Sequence, residues 1–290
     1  MKYLYYPGCS LKGTARDYEE SLLAIAPALG ITLEELREWT CCGSSAAKSK
    51  DREWAQSLTA GTLAQAGQED LDVLLPCSAC YANHLQLVKK VQEDEPLRER
   101  LSLGRIPKVK HLLEVLAWDL GPEEIGGRIA RPLKGMRVLP YYGCLVARPY
   151  PLGGRESREN PGAMEGIIRA VAAEPLPFPA KVDCCGGALL FSNEKVALKL
   201  TGKLLLEAKK LSPDCVAVAC PLCHFMLDAK QRAVERELGT RINIPVLYIT
   251  QLIGLALGIS PERLGLHRLI TSPAPLLNKL SRTRSAQAAI

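Results

Sequence analysis

Aromatic side chains are few in this sequence: three Trp, nine Tyr and three Phe among 290 residues. A core must therefore be built from Leu, Ile, Val and Ala, and no ladder of rings is available to stack on bases. There is no Lys-rich tract either, so the net charge of +6 does not make nucleic acid an expected partner. Nucleotide fingerprints are missing. Neither GxGxxG nor a GxxxxGKS/GxxxxGKT loop occurs, and the pairs Gly153-Gly154 and Gly186-Gly187 do not replace one. No nicotinamide, flavin or nucleotide site is expected, so electrons for any redox chemistry must arrive from another polypeptide.

Long apolar runs are also scarce. The start, MKYLYYPGCS, has one Lys and four or five apolar residues before Pro-Gly, too short for a signal-peptide core, and a cytoplasmic location is expected. Residues 242–260 carry no charge over 19 positions, close to the length of a span. Asn243, Pro245, Thr250, Gln251, Gly254 and Gly258 interrupt them, which suits a buried strand followed by a helix. With 47% hydrophobic and 23% charged residues, the chain reads as globular, and its length suits two domains at roughly 150 residues each.

Sulfur is what the sequence has in excess. Eleven cysteines are an odd number, and a chain of 290 residues needs no disulfide staples to hold a core. They read as thiolate ligands or redox groups in a reducing compartment. Ten of them lie in an internal repeat. Gly8-Cys9 matches Gly143-Cys144, and the neighbouring Tyr5-Tyr6 resembles Tyr141-Tyr142. Cys41-Cys42-Gly43 matches Cys184-Cys185-Gly186, and Cys77-Ser78-Ala79-Cys80 matches Cys220-Pro221-Leu222-Cys223. The half-ends VKHLLEVLAWDLG (109–121) and VLYITQLIGLALG (246–258) align as well. Lys110, Glu114 and Asp119 make the first of these a soluble helix, and the second its more deeply buried copy. The boundary falls where Gly, Pro and charge cluster, giving domains 1–128 and 129–278 and a flexible basic tail, 279–290.

Short apolar runs at Tyr3–Tyr6, Leu71–Leu75, Arg137–Tyr142 and Val216–Ala219 read as buried strands. Tyr18, Leu22, Ile25, Ala26 and Leu29 fall at helical spacing, as do Ala197, Leu200, Leu204 and Ala208. Alternating strands and helices predict an α/β fold in which each half is a small, mostly parallel sheet with flanking helices. Each cysteine group follows a strand, and loops after parallel strands gather at one sheet edge. Groups more than 30 residues apart can thus converge, five thiolates in each half. A zinc ion or a cubane cluster closes with four ligands and leaves one cysteine over. The adjacent cysteines suit separate irons or a bridge between them. An iron–sulfur cluster with an extra or bridging thiolate is the sharper reading.

The pattern Cys, Cys-Cys-Gly, Cys-x-x-Cys, written twice with gaps of 31 and 34 and then 39 and 34 residues, resembles the CCG-domain proteins. The flanking text YYPGCSLKGTARDYEES, PCSACYAN, YYGCLVARP and ACPLCH resembles the B subunit of heterodisulfide reductase. The resemblance runs over roughly residues 3–270. It implies two homologous CCG domains related by a pseudo-twofold, and two noncubane 4Fe-4S clusters. Cys9, Cys41, Cys42, Cys77 and Cys80 would hold one, and Cys144, Cys184, Cys185, Cys220 and Cys223 the other. It implies that a disulfide enters between the clusters and is split by one electron from each, in the physiological direction or its reverse. The catalytic positions are then the cluster-bearing Cys41, Cys42, Cys184 and Cys185. A ferredoxin-like iron–sulfur subunit and a flavin-containing subunit would be partners. The alternative is a non-catalytic electron-transfer subunit of a dehydrogenase or quinone-linked complex. Two complete five-cysteine sets favour the enzyme.

Other residues are candidates of a weaker kind. His84 and His224, close after cluster cysteines, can donate to cluster sulfur, protonate a leaving thiolate, or simply cap a helix. Lys12, Arg16, Lys48 and Arg148 can clamp anionic groups of a substrate or stand as solvated charges. His111 and His267 look like helix-surface histidines. Cys215, in the run CVAVAC, has Asp72 as its counterpart and reads as a packed core thiol.

Overall fold

The computed structural model describes residues 1–288, with side chains as far as residue 282. Strands β1 (Lys2–Tyr5), β2 (Thr32–Glu35), β3 (Val73–Leu75) and β4 (Val109–His111) form one sheet in the order β2-β1-β3-β4. Strands β5 (Arg137–Tyr141), β6 (Glu174–Pro175), β7 (Cys215–Val218) and β8 (Val246–Tyr248) repeat it as β6-β5-β7-β8. Every pairing is parallel. β3, β7 and β8 are buried at each residue, as their unbroken apolar composition requires of strands covered on both faces. Helices Arg16–Ile25, Arg52–Ala66 and Ser78–Glu93 make the crossovers of the first sheet.

The strand order matters for the site. From β1 the chain moves first outward to β2, then back across to β3, so the order reverses between β1 and β3. A crevice opens at the carboxyl ends of two such strands, where α/β sheets bind their ligands. Cys9 follows β1 and Cys77 follows β3; in the second half Cys144 follows β5 and Cys220 follows β7.

The halves share one core, continuous from Tyr3 to Leu280. Helix Arg16–Ile25 of the first half packs on helix Ile249–Ala256 of the second, and helix Ala163–Ala170 packs on residues 112–120, the reciprocal contact of a pseudo-twofold. Tyr18 stacks on Tyr248 at 4.1 Å, worth ~1 kcal/mol beyond burial, and the Ser21 and Thr250 hydroxyls meet at 2.6 Å.

Several expectations change. The stretch from Val109 begins as strand β4, and the helix starts only after His111. His111 is therefore not on a helix surface. It is fully buried, accepts from Leu113 N–H, and its own backbone N–H donates to Glu114 Oε1 at 2.9 Å. Tyr248 N–H donates to Gln251 Oε1 in the same way at 2.9 Å, so both half-ends use one capping device. Burial pushes the His111 imidazole down to about 3. The segment expected as a flexible tail from Lys279 is helical through Ala288; Leu280 is buried and Lys279 pairs with Asp214 at 2.7 Å. Only 289–290 of that tail lie outside the described residues. Residues 242–260 hold β8 and a short buried helix, and no helix among the described residues is long and apolar enough to cross a membrane.

Candidate metal centre

Ten cysteines gather as two sets at the carboxyl ends of the two sheets. In the first, Cys41 Sγ lies 3.3 Å from Cys9 Sγ, and Cys42 Sγ lies 3.4 Å from Cys80 Sγ. Cys77 is the N-cap of the long helix Ser78–Glu93 and Cys80 sits in its first turn, where unpaired N–H groups favour a thiolate. Cys220 caps helix Pro221–Leu227 in the same way, with Cys223 in the first turn. The Cys-Cys turns match too: Gly43 N–H donates to Cys41 Sγ and Gly186 N–H to Cys184 Sγ, each at 3.4 Å.

Protons are shared unevenly within each set. Hydrogen bonds with Cys42 and Cys9 draw the Cys41 thiol far below its ordinary range, while Cys9 and Cys42 are pushed up by the same bonds. In the second set, contact with Cys144 lowers Cys184 and contact with Cys223 lowers Cys220; Cys144 is raised by Cys184, and Cys223 by Cys185 and then Cys220. Cys41 in the first set, and Cys184 and Cys220 in the second, are thus drawn toward the thiolate, the state in which sulfur binds metal, while their neighbours are held as thiols.

The residues fit a multi-iron group. In the first set the sulfurs form a run, Cys9 to Cys41 to Cys42 to Cys80, and in the second all five cysteines line one cavity, an arrangement that suits thiolates bound at separate irons better than a four-ligand tetrahedral zinc. Glycine leaves the room. A Cβ on Gly8 would stand 3.1 Å from Cys80 Sγ, and one on Gly143 only 2.7 Å from Cys223 Sγ.

A tyrosine in each half is a site residue that sequence reasoning left without a role. Tyr6 donates to the carbonyl of Thr40 at 2.6 Å and Tyr141 to that of Asp183 at 2.7 Å, in each case the residue before the Cys-Cys pair. Burial, then the neighbouring thiols, push both phenols well up, so they remain neutral donors. The signal was present: a Tyr stands three residues before the first cysteine of each half. Tyr6→Phe or Tyr141→Phe is expected to lower stability by about 1 kcal/mol and to shift the electron paramagnetic resonance of the adjacent centre only. Denaturant titration and spectra of each variant check this.

The histidines sit near the sets without a ring nitrogen on sulfur. His84 is fully buried beside Tyr6, with Nδ1 2.8 Å from the Cys80 carbonyl and Nε2 without a partner among the described residues; burial lowers it to about 4. His224 places Nε2 3.0 Å from the Val246 carbonyl and stacks on Tyr248 at 4.2 Å. Lys12 is engaged by Glu19 and Glu35, each at 2.7 Å, and Arg148 by Glu159 and Asp183. Arg16 is exposed. Lys48 bonds Gln86 at 2.6 Å in a groove of about 650 Å³ that no cysteine lines. Cys215 is wholly buried in β7, and no other cysteine acts on its thiol, which burial pushes up.

A smaller cavity, about 100 Å³, has the chemistry in its wall. Cys144, Cys184, Cys185, Cys220 and Cys223 line it from the second half, and Ser44, Ser45 and Ser78 from the first.

Known proteins agree with this duplicated geometry. A solved structure of a hypothetical protein from Helicobacter pylori superposes on 93% of the chain with a TM-score of 0.74 at 13% identity. The chain spans about half of that protein, 52%, and the likeness concerns fold alone. The 8-methylmenaquinol:fumarate reductase membrane anchor subunit of Wolinella succinogenes is 34% identical over 95% of this chain and 99% of its own length. A protein of Archaeoglobus profundus, named as like the B subunit of heterodisulfide reductase, is 29% identical over 91% of this chain and 93% of its own. The B subunit of the Ferredoxin/F(420)H(2)-dependent CoB-CoM heterodisulfide reductase of Methanosarcina acetivorans is 26% identical, over 92% and 93%. The cysteine-rich domain CCG matches residues 3–84 and again 138–228, so the chain belongs to the CCG cysteine-rich domain family and carries two copies of that domain.

Proposed function

We propose that this chain is a redox component of a larger complex, holding an iron–sulfur cluster in each half and cleaving, or reversibly forming, a disulfide between them. Support comes first from one observation: Ser44, Ser45 and Ser78, which neighbour cysteines of the first set, line the same small cavity as the second cysteine set, so the two sets approach each other across the join of the halves. Relatives at 26–29% identity, named for the B subunit of heterodisulfide reductases, point the same way. Cys9, Cys41, Cys42, Cys77 and Cys80 would hold one noncubane 4Fe-4S cluster, and Cys144, Cys184, Cys185, Cys220 and Cys223 the other. Bound clusters would supply the two electrons that turn one disulfide and two protons into two thiols. The chain itself contributes two cysteine sets brought close across the join of the halves, sulfurs at helix N-termini and neutral tyrosines that fix the Cys-Cys loops. The donor would be a ferredoxin-like subunit fed by a flavin subunit, and the assembly cytoplasmic.

A second reading has its own support. The relative at 34% identity is called a membrane anchor subunit of a menaquinol:fumarate reductase. On that reading the chain passes electrons between a quinone and a partner and cleaves no disulfide.

Iron and acid-labile sulfide are expected at about eight each per anaerobically purified chain, with the visible absorption bleached irreversibly by oxygen. About one tightly bound zinc per half would overturn the cluster assignment. The purified complex, reduced with viologen, should consume a small disulfide; if it reduces only a menaquinone analogue, the second reading replaces the first.

A further inference from the structure

The groove of about 650 Å³ beside Lys48 lies between helices Arg52–Ala66 and Ser78–Glu93 of the first half. Ala55, Asn83 and Leu87 are buried in its floor, and Lys48, Arg52 and Lys90 stand exposed around them. No Asp or Glu lines it, and none of the three cations forms an ion pair among the described residues. Burial, and then the Lys90 ammonium, hold the Lys48 pKa below its ordinary value against the pull of the Cys42 sulfur. Like charges gathered in one concavity repel one another and attract an anion, so an acidic occupant is favoured on both counts.

Its position points to the kind of occupant. Asn83 lines the groove and donates through Nδ2 to the Cys42 carbonyl at 3.1 Å, and Lys48 follows Cys42 by six positions. The groove therefore adjoins the first cysteine set, yet no cysteine is in its wall. The sequence carries no nicotinamide, flavin or nucleotide fingerprint, so electrons pass to or from another polypeptide, and that partner has to seat itself close to a centre. The lining runs over two turns of each helix, 52–59 and 83–90, or roughly 10 Å. That is the reach of a peptide segment and more than one small ion needs.

We propose that this groove receives an acidic segment of the polypeptide with which the chain exchanges electrons, and that the exchange takes place at the first centre. One electron at a time passes between the partner's carrier and that centre, oxidising one and reducing the other, and no covalent bond changes. This rests on the reading of the chain as a redox component of a larger complex, and it holds whether the far substrate is a disulfide or a quinone. It adds an order: the partner meets the first half, and the second centre stands behind the first.

The test uses the complete complex, purified anaerobically, and reads by gel filtration the concentration at which the redox partner dissociates. Arg52→Glu with Lys90→Glu should raise that concentration about tenfold or more at low ionic strength, with iron per chain and Tm unchanged. Arg52→Gln with Lys90→Gln, which removes charge and adds none, should shift it the same way by less, and Arg52→Lys with Lys90→Arg should restore wild-type affinity. Partner affinity that neither the Glu nor the Gln pair alters overturns the docking site. If those pairs instead abolish only the binding of inorganic phosphate, the groove is a small-anion site and the proposal falls. Cys184→Ala, left with the first centre, should still exchange an electron with the partner, followed by electron paramagnetic resonance; failure to do so places the exchange at the second centre and overturns the proposal. A wild-type chain that purifies with no second redox polypeptide overturns the reading as part of a complex, and the docking site with it.

Discussion

Cys184→Ala is expected to leave about four irons per chain in place of about eight, and to lower disulfide cleavage by orders of magnitude. Cys184 is the thiol of the second set that contact with Cys144, the Gly186 amide and the Arg148 guanidinium all push down, to about 6. It is thus poised as a thiolate, and on the proposed ligation alanine at this position would leave one iron short of a ligand. Cys41→Ala should do the same in the first half, where hydrogen bonds with Cys42 and Cys9 place the lowered thiol. Cys215→Ala is the control within the same chemistry. Its thiol packs inside β7 opposite Val138, so its loss should cost at most about 1 kcal/mol and no iron. Iron analysis and electron paramagnetic resonance of all three variants decide. Should Cys215→Ala lose a centre while Cys184→Ala keeps both, the five-plus-five division is wrong.

That division was legible because the repeat is written in residues whose chemistry cannot be substituted. Strand, cysteine and turn recur in the same order, and parallel connectivity then brings the loops to one edge. The less legible parts lack such markers. β2 is an edge strand exposed or half-exposed along its length, and β6 has two residues, so neither shows the apolar run that marked β1, β3, β5 and β7. His111 is easily misread because VKHLLEV has helical spacing throughout; the first three residues pair with β3 instead, and the histidine becomes the buried cap. Repeat logic also hid something. Two equivalent halves suggest two equivalent sites, but the halves pack so that first-half serines wall a second-half cavity. Pairing of that kind depends on which faces meet, and a periodicity in one chain does not encode it.

Gly143→Ala is expected to remove the second centre as thoroughly as the loss of a ligand, although no donor atom changes. Gly143 has φ +70° and ψ 178°, a conformation essentially reserved for glycine, and an added methyl costs ~1–3 kcal/mol on that ground alone. The direction of the methyl decides the larger effect. It would lie 2.7 Å from Cys223 Sγ, closer than carbon and sulfur approach, so the sulfur or the Gly143-Cys144 turn must move. Both carry ligands: Cys144 is the next residue, and Cys223 closes the set from the opposite side. Gly135→Ala separates the two costs, because Gly135 has φ +77° with no atom within 4 Å of the added carbon. It should lose a similar amount of stability and keep all its iron. Gly8→Ala, at 3.1 Å from Cys80 Sγ and also from the Tyr6 ring, should fall between them and disturb the first centre alone. Iron per chain is the measurement, with Tm recorded beside it. A Gly143→Ala protein that holds full iron would show that the second set does not close around a bound group at Cys223, and the cradle described for both halves would have to be given up.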